Sequence, residues 1–111
     1  MTLLDQISLS PESIIFSGVI AYIDTNYNFT PTRFTNGNTV NEAGQNNGSC
    51  KIFSFAKLHN LTQDQTLALF GNYYRKDVLG NPEGTDHQNI RNFMQSGWDG
   101  VKFEGEALGE K

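Results

Sequence analysis

The stretch RFTNGNTVNEAGQNNGSC, residues Arg33 to Cys50, decides the fold class. It starts as extended chain: Phe34 and Thr35 favour strand backbone, and Asn36-Gly37 is a turn signal. It ends as a helix start, because Ser49 can cap a helix that opens at Cys50. The 14 residues between, Asn36 to Ser49, hold five Asn, one Gln and three Gly, with only Val40 and Ala43 apolar. Asn and Gly tolerate left-handed backbone and build turns through the Asn side chain. Long structureless loops are uncommon in a compact domain. The first reading is therefore an ordered polar segment whose amides satisfy its own backbone. A binding surface for a small ligand or peptide is the second reading and disorder the third. Under the second, Asn36, Asn41, Glu42, Gln45, Asn46 and Ser49 are the contact candidates.

Working outward, the flanks read as helix. Leu3, Leu4 and Ile7 share a side of a short helix over residues 2–9. Ser10, Pro11 and Glu12 suit the start of a second helix. Its apolar stripe is Phe16, Val19, Ile20, Ile23 and Tyr27, and it fades near Asn26. After Cys50, Ile52, Phe55, Ala56 and His59 form a stripe with Phe53 beside it, and Asn60 is a left-handed stop. Thr62-Gln63-Asp64-Gln65 is a capping box opening a helix to about Leu79, and Arg75-Lys76 reads as its solvated face. Thr85-Asp86-His87-Gln88 repeats the pattern before Ile90, Phe93 and Met94. Gly97 ends that helix, and Trp98 should fold back on Phe93. VKFEG, residues 101–105, alternates as a half-buried strand, and we pair it with Arg33–Thr35. The sum is one α+β domain over residues 1–111, mostly helical. It has about four or five helices and a small antiparallel sheet of about two or three strands.

Composition narrows the function. The formal charge is −4 with scattered acids, which argues against nucleic acid, whose partners need a basic patch. No apolar run approaches membrane-spanning length, and the first residues lack the basic start and apolar core of a secretory signal. Cys50 is the single cysteine, so no internal disulfide forms, and a reducing cytoplasm is the expected compartment. A monomer is expected. His59, His87 and Cys50 stand at no metal-finger spacing. Glu42 is the amide-rich loop's single carboxylate, too few for calcium, so neither metal nor cofactor is expected.

Two constellations carry possible chemistry. Cys50 in a helix's first turn is where the dipole favours thiolate. If that turn meets the Asp86-His87 helix start, a Cys–His–Asp arrangement results. The plainer reading makes Cys50 a small buried apolar residue, Asp86 a helix-dipole partner and His87 an exposed neighbour. The polar helix face of Asp86, Gln88, Asn89, Arg91 and Asn92 either lines a site or, more simply, meets water.

FTPTRFTNG, NEAGQNNGSCKIFSFAKLHNL, QTLALFGNYYRKDVL, PEGTDHQNIRNFM and GWDGVKFEGEAL come in this order. Together they resemble the HopJ-type family of bacterial proteins, named as type III effectors. The resemblance runs from about Pro11 to Leu108, far longer than any short motif. It implies an effector-type module, secreted into host cells if that description holds, and brings no catalytic residues to carry over. An unknown protein partner or a small ligand is the expected target. The alternative is a ligand-binding protein or thiol-dependent enzyme using Cys50 and His87.

Overall fold

The computed structural model describes residues 3–111, so the helix start expected at Thr2 lies outside the described residues. Helix α1, Leu3–Leu9, buries Leu3 and Ile7. A 3-10 turn, Pro11–Ser13, precedes helix α2, Phe16–Asn26, which buries Val19 and Ile23. Three strands follow: β1 Tyr27–Phe29, β2 Phe34–Asn36 and β3 Thr39–Asn41. Helix α3 is Asn47–Leu58, α4 is Gln63–Ala68 and α5 is Gln88–Ser96. A π-helical turn, Tyr73–Val78, lies between α4 and α5. A 3-10 turn, Gly97–Gly100, leads to β4, Val101–Phe103, and then β5, Leu108–Glu110.

The mostly helical α+β fold is as expected. So is the partner of the extended stretch: β2 pairs antiparallel with β4, Phe34 opposite Phe103 and Asn36 opposite Val101. Three strands lay beyond the sequence reading. The first half of the amide-rich segment is itself β3, folded back on β2 with Asn36 opposite Thr39. Gly37, at φ +62°, makes that two-residue return possible. The others are β1, which takes Tyr27 off the expected helix stripe, and β5, which pairs with it, Tyr27 opposite Glu110, as a separate two-stranded sheet.

Two expected helices are shorter than their apolar periodicity suggests. The helix expected from Pro11 breaks at Ile14 and Ile15, which are extended, and the Ser10 side chain makes no cap bond. The break drops Ile14 into the core. It also leaves carbonyls that a continuous helix would have used. Arg75 reaches them, donating from Nη2 to Ile14 O at 2.6 Å and from Nη1 to Pro11 O at 3.3 Å, where Ile14 N also donates. Arg75 is thus a clamp on another element, not a solvated side chain. The helix expected to reach Leu79 stops at Ala68, although its capping box forms. Gln65 N donates to Thr62 Oγ1 at 3.1 Å, and Thr62 N to Gln65 Oε1 at 2.9 Å. The chain turns at Gly71, φ +61°, where a Cβ would lie 2.9 Å from the Phe16 backbone nitrogen. Tight approach of α2 sets that turn.

Phe53 is the hub of the core rather than a neighbour of the stripe. Its ring centroid lies 5.0 Å from Phe93, 5.5 Å from Phe70, 6.1 Å from Phe34 and 6.3 Å from Trp98. Those partners come from α5, the turn after α4, β2 and the turn after α5. One side chain therefore joins sheet and helices, and full burial of such a ring is worth roughly 1.5–3 kcal/mol. Trp98 folds back on Phe93 at 5.1 Å, edge to face, as the stop at Gly97 requires.

Candidate functional site

The amides of the Asn36–Ser49 segment meet those of α5. Asn36 Nδ2 donates to Asn89 O at 2.8 Å and to Asn89 Oδ1 at 3.0 Å. Asn41 Nδ2 donates to Asn89 Oδ1 at 3.2 Å, and Asn89 Nδ2 returns a bond to Asn41 Oδ1 at 3.0 Å. Asn46 Nδ2 donates to the same Asn41 oxygen at 2.7 Å. Asn92 Nδ2 donates to Asn36 O at 3.0 Å and to Thr39 Oγ1 at 2.8 Å. Asn36 and Asn41 are 0% and 1% exposed, and Asn89 and Asn92 are 7% and 8%. The polar face of α5 is therefore packed against the hairpin and not turned to water. Buried amides hold such a place only when hydrogen-bonded. In this set one acceptor, Asn36 Oδ1, has no partner.

Both helices at this junction start in an unusual way. Asn46, φ 52°, precedes α3, and His87, φ 50°, precedes α5; neither side chain caps its helix. The helix starts are thus corrected. Ser49 lies within the first turn of α3, and Thr85 forms no capping box. Asp86 is turned instead to Arg91, whose Nη2 donates to Asp86 Oδ1 at 2.6 Å and whose Nε donates to Asp86 O at 2.6 Å. That bond holds the Asp86 carboxyl below its ordinary range. Arg91 also donates to Asn81 O at 2.9 Å, so the loop before α5 is strapped to its own helix. His87 Nε2 lies 3.1 Å from Asp77 Oδ2 and 3.8 Å from Asp86 Oδ2, and its ring is 5.0 Å from that of Tyr73.

A cleft of about 340 Å³ opens where the starts of α3 and α5 come together. One wall is aromatic: Phe16, Phe70 and Tyr73, with Phe16 edge-on to Tyr73 at 4.9 Å. The other wall is polar, with Thr39, Asn46, Ser49, Gln88 and Asn89, and His87 lies at the junction. Of the sequence candidates, Asn46, Ser49, His87 and Asn89 line this cleft. Asn36 and Asn41 stand behind it in the amide network, and Arg91 braces Asp86. Glu42 and Gln45 are exposed: Glu42 pairs with Arg33 at 3.1 Å, and Gln45 Oε1 accepts from Glu42 N at 3.2 Å. Sequence reading did not place Phe16 or Tyr73 at a site. Asn92, on the same helix face as Asn89 three residues earlier, backs the hairpin through Asn36 O and Thr39 Oγ1.

Cys50 is not on the cleft. It is 1% exposed in the aromatic core, with Sγ 3.7 Å from Thr32 O. Burial raises its pKa, and hydrogen bonding to the Thr32 backbone and the Ser54 hydroxyl only partly opposes this. A buried neutral thiol is the opposite of an activated one. His87 has carboxylates, not a nucleophile, as its bonding partners. The arrangement can donate hydrogen bonds and stack against rings, but it presents no nucleophile–base pair. Among the described residues, no three His, Cys, Asp or Glu side chains are grouped to hold a metal ion. No helix among them is long and apolar enough to cross a membrane.

Fold and site define a mostly helical α+β protein with a cleft walled by aromatic residues on one side and polar residues on the other. The chain belongs to the HopJ type III effector protein family, whose description matches residues 1–108. A crystal structure of a protein of unknown function is similar to it, with 56% sequence identity and a TM-score of 0.97. The match covers 100% of this chain and 95% of that one. No curated protein matches the chain.

Proposed function

We propose that the protein is a binding module of the effector type, recognising its target in the cleft between α3 and α5 and performing no reaction on it. One observation supports this most: the two stretches singled out in the sequence form the polar wall together, tied from behind by buried amides. A wall fixed in this way loses little freedom on binding, which favours affinity. The target is a segment of a partner protein, and the family favours delivery into a host cell; otherwise the protein works in the cytoplasm. The second reading is a small ligand with a planar ring, favoured by the exposed edge of Tyr73 between Phe16 and His87. Nothing supports the thiol-dependent alternative, given the burial of Cys50.

The test is a thermal-shift screen of peptides and metabolites against the wild type, Tyr73→Ala and Ser49→Arg. Both substitutions sit on the cleft wall, and circular dichroism checks that each variant folds. We expect hits to raise the wild-type midpoint by mass action, and both variants to lose that shift. Hits retained by both variants would place recognition elsewhere on the surface. A library with no hits would count against binding as the function.

A further inference from the structure

We draw no further inference here: the strongest candidate, the cleft on which the uncapped starts of α3 and α5 both open, points to a bound anion only through those helix ends and belongs to the site already described.

Discussion

Asn36 and Asn89 are joined twice, by bonds of 2.8 and 3.0 Å from one amide group, across 53 residues of sequence. This contact ties the β2–β3 hairpin to α5, and it is buried. The cost of losing a buried amide is the cost of the partners it strands. Asn41 bonds to both Asn46 and Asn89, and exchanges two bonds with the latter.

Asn41→Ala should therefore lower the unfolding free energy by about 1–3 kcal/mol. Asn46 is exposed and makes one of these bonds, so Asn46→Ala should cost less. Its left-handed backbone still disfavours Ala, by about 1 kcal/mol. Urea unfolding of both variants is the check. A wild-type midpoint for Asn41→Ala would show that the network does not stabilise the hairpin.

Arg75 and Lys76 look alike in sequence and should behave differently. Arg75→Met strands the Ile14 carbonyl and removes one of the two bonds to the Pro11 carbonyl, which keeps the Ile14 N–H. Hydrogen bonds from a charged donor are worth about 1.5–3 kcal/mol, and we expect a loss in that range. Lys76 is exposed, so Lys76→Met should stay within about 0.5 kcal/mol of wild type. Equal effects from the two would refute the clamp.

Two glycines should give effects of opposite sign. Gly71→Ala places a methyl 2.9 Å from the Phe16 nitrogen, at φ +61°, and should destabilise by more than 1 kcal/mol, roughly, through strain and displacement. Gly18 sits in α2 with nothing within 4 Å of its would-be Cβ. Gly18→Ala should stabilise by about 0.5–1 kcal/mol. Thermal midpoints moving in the same direction would contradict this account.

Cys50 should be silent in the folded protein. A thiol reagent should label it only as fast as the chain unfolds. Its folded pKa is raised by burial, so its contribution to stability is complete below the unfolded thiol value. It is lost as pH rises from there through the folded value. Cys50→Ala should flatten the alkaline fall in stability, leaving the part due to Tyr27, which burial shifts the same way. Rapid labelling of the native protein with a pH dependence of its own would return Cys50 to the list of reactive groups.

The apolar skeleton was legible because hydrophobic spacing has one meaning. Ile23, Phe55 and Phe93 face inward as their periodicity requires, and the β2–β4 pairing follows from two short alternating runs. What was hidden depends on partners distant in sequence. Asn46 tolerates left-handed backbone, but nothing local tells it from the other Asn of its segment as the helix start, and Arg75 reads as solvated until Pro11 and Ile14 are placed beside it. A buried amide network looks in sequence like a water-facing one, so Asn89 and Asn92 were assigned the wrong surroundings. The cleft's aromatic wall escaped for a related reason. Phe16 belongs to a helix stripe that explains it fully, and Tyr73 lies in a turn whose π-helical form no periodicity announces.

The β1–β5 pair sets the order in which the protein can be made. Tyr27 meets Glu110 across most of the chain's length. During synthesis, β1 leaves the ribosome as a bare edge and stays so until β5 follows. The Phe53-centred core draws on residues up to Trp98 and can begin to assemble before then. Closure of the small sheet is a late event dominated by loop entropy. A chain cut short before Leu108 would lose the β5 partner and leave Tyr27–Phe29 as an open edge able to pair with another chain, so the hazard to solubility lies in the incomplete chain rather than in the finished fold.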